Sequence, residues 1–153
     1  MILEKDLIPN YKFIGKEADL ETYILENIND ISEGCGWGSI NRIENQFRIN
    51  FGKSHLIIDI MLWHKDGTGT CIELKTGGHN RNDLLTGISQ LLSYGYKTKF
   101  TLKKRPRLVL ITPQIEREVN SVIKEYNLPI DMLMVDGDRC IYLPCQNLTN
   151  ESI

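Results

Sequence analysis

The order of hydrophobic and polar positions changes period several times along the chain, and each change marks an element. Over residues 17–31 the apolar residues Leu20, Ile24, Ile28 and Ile31 recur at steps of four, four and three. That spacing predicts one amphipathic helix with a single core-facing stripe. Gly34, Gly36 and Gly38 then end it. Gln46, Phe47, Arg48, Ile49, Asn50 and Phe51 alternate polar with apolar, the period of a half-buried strand. Residues 55–63 form a longer apolar run rich in Ile and Leu, and 70–76 is a further strand, with the hairpin signal Lys-Asp-Gly-Thr-Gly at 65–69 between them. A glycine-bearing loop, 77–83, leads into a second helix carrying Leu84, Leu85, Ile88, Leu91 and Leu92. Residues 107–112 read as a strand, and Pro113 stands where a helix begins, with Val119, Val122 and Ile123 giving helical spacing over 115–126. Two short strands, 132–135 and 140–143, close the pattern around an Asp-Gly-Asp turn at 136–138.

Helix, three strands, helix, strand, helix and two strands make an α/β (α+β) domain with a central mixed sheet flanked by helices. Residues 1–15 carry little pattern and include Pro9 and Gly15, so they read as an N-terminal arm; 16–148 form a single domain and 149–153 a tail. The length of 153 residues suits one core.

Ionisable residues interrupt the two central apolar strands. Asp59 lies within Ile-Ile-Asp-Ile-Met-Leu, and Glu73 and Lys75 lie within Cys-Ile-Glu-Leu-Lys-Thr. An unpaired polar group in a core strand costs roughly 1–3 kcal/mol, so three of them require a purpose. Glu73 and Lys75 project to one face with Leu74 opposite, because side chains alternate along a strand. Asp59 joins that face only if positions paired across the hairpin sum to an even number, such as 132 (Asp59 facing Glu73) or 134 (Asp59 facing Lys75). A two-residue Asp-Gly turn pairing 65 with 68 gives 133 and the wrong face, so an odd-length loop or a bulge near Thr68 and Gly69 is expected. Two carboxylates and a lysine converging in this way suit a hard, oxygen-liganded cation such as Mg²⁺ or Mn²⁺. They suit a purely structural ion pair equally well.

Charge and composition narrow the setting. Lys and Arg number 18 and Asp and Glu 20, a net charge of −2 that by itself argues against a nucleic-acid partner. The distribution is uneven, however. Lys97, Lys99, Lys103, Lys104, Arg105 and Arg107 fall within eleven acid-free residues, and the remainder carries 12 basic against 20 acidic residues. No apolar run approaches the length of a membrane span and the first residues do not resemble a signal peptide, so a soluble cytoplasmic protein is expected. Cys35, Cys71, Cys140 and Cys145 are too scattered for a disulfide framework or a zinc site. His55, His64 and His79 fall singly and read as surface or turn residues, while Trp37 and Trp63 read as packing residues.

Asp59, separated by thirteen residues from Glu73-Leu74-Lys75 and set between strands, resembles the Asp…(Asp/Glu)-x-Lys signature of the PD-(D/E)xK nuclease superfamily. Glu17-Ala-Asp-Leu-Glu21 resembles the acidic helix of that superfamily, and Gln90-Leu-Leu-Ser-Tyr94 resembles the QxxxY motif of its RecB-like and NucS-like members. Order and separations over residues 17–96 are especially similar to the catalytic domain of NucS-type endonucleases. Ile58 stands where the superfamily name has Pro. Because the resemblance is to the catalytic domain alone, substrate preference does not carry over.

The resemblance implies a restriction-endonuclease-like core and a Mg²⁺- or Mn²⁺-dependent nuclease, a phosphodiester hydrolase acting on DNA. On it, Asp59 and Glu73 bind the ion with help from the Leu74 carbonyl, and Lys75 acts on the attacking water. Glu17 contacts a water of the ion or a second ion. Glu21, about 40° round the helix from Glu17, shares that role or simply favours the helix dipole. Gln90 and Tyr94, at i and i+4, orient Lys75, the ligands or a phosphate. His79 and Arg81 in the loop after Lys75, and Lys97, Lys99, Lys103, Lys104 and Arg105 after the second helix, are the expected phosphate contacts. Tyr96 and Phe100 are interleaved there for stacking. A chain of this size offers limited surface for a duplex, which points to a homodimer presenting two sites. Two competitors stand beside this reading: a catalytically silent nucleic-acid-binding or interaction module on the same fold, and a metal-free domain held by a buried ion pair.

Overall fold

The computed structural model describes residues 3–5, 17–51, 53–76, 81–98, 102, 104–113, 117–136 and 139–145. Among them run β1 (Leu3–Lys5), α1 (Glu17–Glu26), α2 (Ile28–Cys35), β2 (Ile40–Phe51), β3 (Ser54–His64), β4 (Gly69–Leu74), α3 (Arg81–Thr98), β5 (Arg107–Thr112), α4 (Arg117–Glu125), β6 (Asp131–Asp136) and β7 (Arg139–Leu143). The strands form one sheet in the order β1-β7-β6-β5-β4-β3-β2. Neighbours are antiparallel except β4 with β5 and β5 with β6. Those two parallel pairs require crossovers, which α3 and α4 supply.

Each face of the sheet buries its own cluster. Leu20, Ile24, Ile28 and Ile31 of α1 and α2 pack on Ile60, Leu62, Ile72, Leu74, Val109 and Ile111. On the other face Leu84, Ile88, Leu91 and Tyr94 of α3, with Val119 and Ile123 of α4, pack on Met61, Cys71, Leu108 and Leu110. The central strands are therefore covered on both sides: β4 is buried along its whole length, and β5 from Leu108 onward.

The structure departs from the sequence pattern at four places. Residues 17–31 are not one helix: the chain breaks at Asn27, whose side-chain Nδ2 donates to the Tyr23 carbonyl at 2.9 Å and competes with the regular ladder, while its backbone N–H turns to Ile24 O at 3.2 Å. The buried stripe nevertheless continues across the break. The second helix extends through Gly34, and Gly36 (φ +74°) ends it, with Gly36 N–H on Glu33 O at 3.1 Å and Trp37 N–H on Ser32 O at 2.9 Å. The N-terminal arm contributes an edge strand, with Leu3, Glu4 and Lys5 paired to Tyr142, Ile141 and Cys140. His64 is a buried residue, its Nε2 2.7 Å from Thr70 Oγ1. The tail 149–153 lies outside the described residues.

Candidate functional site

The β3–β4 hairpin closes through a three-residue loop, with His64 N–H donating to Thr68 O at 2.9 Å and Gly67 at φ +88°. Three-residue loops take a left-handed residue at that position, and glycine adopts it without strain. The register is consequently even: Met61 faces Cys71 and Ile60 faces Ile72. One further step would set Asp59 opposite Glu73, but the ladder stops there. The Leu74 N–H bonds the Asp59 carboxylate at 2.8 Å instead of a strand carbonyl. On the other side Lys75 N–H stays on β5, bonded to Ile111 O at 3.0 Å. Two strands part at this point, and Asp59, Glu73 and Lys75 stand in the fork.

A local reversal sharpens the fork. Ile58 and Met61 both belong to the α3-side cluster, whereas Ile60 and Leu62 belong to the α1-side cluster. Regular alternation would put Ile58 with Ile60, so β3 turns over between them. Across the hairpin Gln46 takes φ +52°, between the pairs Asn45 with Ile60 and Phe47 with Ile58. Gln46 Nε2 lies 3.5 Å from Asp59 Oδ1 and 3.2 Å from Glu21 Oε2, and Asn45 Nδ2 lies 3.4 Å from Glu21 Oε1. Glu21 is thus linked to Asp59 through one amide. Sequence reasoning missed Gln46, and no local signal marks a glutamine for a left-handed turn.

Glu73 is 2% exposed. Burial, then the hydrogen bond and negative charge of neighbouring Asp59, push its carboxyl up to about 9, against the opposing pull of Lys75 and Tyr94. Tyr94 reaches over from α3: its hydroxyl donates to Ile57 O at 2.7 Å and lies 3.2 and 3.5 Å from the two Glu73 oxygens. Burial and the Glu73 charge raise that hydroxyl's own pKa. The Lys75 ammonium sits 3.9 Å from Asp83 Oδ1. Its stem runs under α3 at Gly87, where an added Cβ would stand 3.1 Å from Lys75 Cγ and 2.9 Å from Leu110 Cδ1. Glycine there lets the helix lie on the lysine. Gln90 Oε1, one turn before Tyr94, is buried without a partner among the described residues.

Other expected site residues are placed elsewhere or not described. The side chains of Glu17 and Arg81, and all of His79, Lys99, Phe100 and Lys103, lie outside the described residues. Lys97 is in the last turn of α3, where Tyr96 is exposed. Lys104 and Arg105 are exposed on the approach to β5, whose first residue pairs with Thr70, at the opposite end of β4 from Leu74. Arg107 serves the fold: it meets buried Asp131 at 3.1 Å, and Asp131 also accepts from Tyr142 OH and, at 2.8 Å, from Cys145 N–H. Trp37 packs there, its Nε1 donating to Tyr142 OH at 3.0 Å. Trp63 packs edge-on against Phe47 under Arg42.

Among the described residues no group of three or more His, Cys, Asp or Glu side chains is gathered to hold a metal ion. The donor set in the fork still fits a hard cation. Asp59 and Glu73 are adjacent carboxyls, one of them buried and holding its proton, and an ion between them would replace that proton and remove the repulsion.

A mixed sheet with its parallel centre crossed by α3 and paired helices on the far face is a restriction-endonuclease-like α/β fold. A solved structure shares this fold. The crystal structure of a repair endonuclease from Pyrococcus abyssi matches with a TM-score of 0.56 over 83% of this chain and 50% of that one, at 19% identity. The structure of an EndoMS–dsDNA2 complex matches with a TM-score of 0.49 over 84% of this chain and 49% of that one, at 21% identity. The chain therefore spans about half the length of these neighbours. Neither a family model nor a curated protein sequence matches it. Among the described residues no helix is long and apolar enough to cross a membrane.

Proposed function

We propose that the protein is a metal-dependent nuclease that hydrolyses phosphodiester bonds in DNA. The observation that carries this reading is the fork itself: Asp59 and Glu73 converge beside Lys75 where β3 leaves β4, with Glu73 buried and its carboxyl pushed up to about 9. The structural neighbour that shares the fold is a repair endonuclease, which supports DNA as the substrate.

Asp59, Glu73 and the Leu74 carbonyl would hold Mg²⁺ or Mn²⁺. When bound, the ion supplies Lewis-acid polarisation of a phosphoryl oxygen and lowers the pKa of water. The Leu74 N–H fixes one Asp59 oxygen, so that carboxylate is aimed before any ligand arrives. The Tyr94 hydroxyl, held by Ile57 O, lies 3.2 Å from Glu73 Oε2 and keeps that carboxyl in place. Lys75, loosely tethered by Asp83, carries a charge that orients the attacking water and offsets charge building on the phosphate. The buried Gln90 oxygen, without a partner among the described residues, is an acceptor for a donor brought with the substrate or its water. Glu21, through Gln46, steadies the open side of Asp59.

The test is incubation with single-stranded, duplex, flapped and four-way DNA, and with RNA, in Mg²⁺, Mn²⁺ or EDTA, alongside Lys75→Ala. Cleavage is expected with either ion and lost in EDTA or in the variant, which keeps its fold. Cleavage that survives EDTA or the substitution overturns the mechanism. Binding without cleavage of any substrate favours the silent module instead.

A further inference from the structure

Beyond Ile60 the β2–β3 hairpin leaves the sheet. β3 pairs with β4 only from Ile60 to Trp63, yet it stays paired with β2 as far as Ser54 opposite Phe51. Six residues at about 3.3 Å each make an arm of about 20 Å whose root is Asp59. The arm has two unlike faces. Phe47, Ile49, Leu56 and Ile58 pack toward the α3-side cluster. Arg48, Asn50, His55 and Ile57 are exposed on the other face, paired as Arg48 with Ile57 and Asn50 with His55, and Lys53 is exposed at the tip. At the root, where the left-handed Gln46 and the turnover of β3 break the alternation, Gln46 Nε2 lies 3.5 Å from Asp59 Oδ1. Residues 45–58 include no Asp or Glu, in a chain whose net charge is −2. Tyr94 ties the arm to the fork, since its hydroxyl bonds Ile57 O and contacts Glu73.

We infer that this arm is the surface that grips the nucleic-acid backbone, with Arg48 and Lys53 meeting phosphates and the outer face feeding the strand toward Asp59. The inference rests on the nuclease reading and adds to it where the substrate lies. It differs from the sequence expectation, which looked to the basic stretch after α3. Lys104 and Arg105 stand at the far end of β4, whereas the arm begins at the carboxylates. Exposed cations with no acid between them lose little on meeting a phosphate, and each contact releases counterions.

The experiment is fluorescence anisotropy of labelled 30-mer single-stranded and duplex DNA, with Mg²⁺, on the full chain carrying Lys75→Ala to prevent turnover, titrated across salt concentration. Arg48→Ala and Lys53→Ala are each expected to weaken binding about five- to eightfold at 0.1 M salt, the double variant about 25- to 60-fold, with the log–log salt slope falling by about 0.7–0.9 per residue. Arg48→Lys should keep the slope. Lys124→Ala on α4 serves as the remote control, with affinity and slope unchanged. Arg48, Lys53 and Lys124 are exposed, so the melting curves of these variants should coincide with that of the Lys75→Ala parent. A parent that binds while the double variant keeps its affinity and slope overturns the arm alone. A parent that binds neither DNA overturns the arm and the nuclease reading together.

Discussion

In the metal-free protein, stability should fall as pH rises through neutrality, and Glu73 should be the cause. Its carboxyl is pushed up to about 9 in the fold by burial and by Asp59, against about 4.3 in an unfolded chain. Between those values the folded protein holds one proton more than the unfolded one. Its stabilising contribution is therefore complete below about pH 4.3 and is lost as pH climbs to about 9. The slope is that of one proton, so pH 6 to pH 8 costs about 3 kcal/mol. For a domain of this size that is about 6–12 °C in Tm. Thermal unfolding followed by circular dichroism in EDTA, at several pH values, should give this decline for the wild type. Glu73→Gln keeps the shape of the protonated acid and should be flatter by that amount. His64, whose pKa burial lowers, contributes the opposite sign below neutrality, but it cancels in the difference between the two proteins. Mg²⁺ or Mn²⁺ should flatten the wild-type curve by taking the place of the proton. Equal pH slopes for wild type and Glu73→Gln in EDTA would refute the reasoning.

Other consequences follow from single contacts. Tyr94→Phe removes the hydroxyl shared by Ile57 O and Glu73 and should cost about 1 kcal/mol of stability by urea titration, with cleavage down about tenfold. Gly87→Ala drives a methyl onto Leu110 and the Lys75 stem; despite the helix propensity gained, it should lower Tm and slow cleavage, and an unchanged rate would mean that Lys75 tolerates the shift. Asp131→Ala strips Arg107, Tyr142 and Cys145 N–H of their shared acceptor and should destabilise by about 3–5 kcal/mol in urea, while cleavage by the molecules that remain folded is unchanged.

Several parts of this protein were determined by the sequence acting locally. The β5 strand over 107–112 is legible because a strand covered on both faces must be apolar throughout. The parity of the hairpin is legible because side-chain alternation leaves two choices, and three ionisable groups on central strands select one. The Asp59…Glu73-x-Lys75 grouping follows from that parity.

Tertiary structure decided what depends on distant partners. The β1 strand exists because Leu3–Lys5 finds β7, more than 130 residues away, and three residues carry no period of their own. Arg107 looks like one more cation in a basic run until Asp131 is brought beside it from β6. The break at Asn27, the left-handed Gln46 and the turnover of β3 between Ile58 and Ile60 are equally silent in the pattern, because each is a small backbone cost accepted where packing on two faces demands it. Sequence specified which residues share a strand face. Only the parting of β3 from β4, a matter of which strands each must still pair with, turned that face into a fork and left the hairpin arm projecting from it.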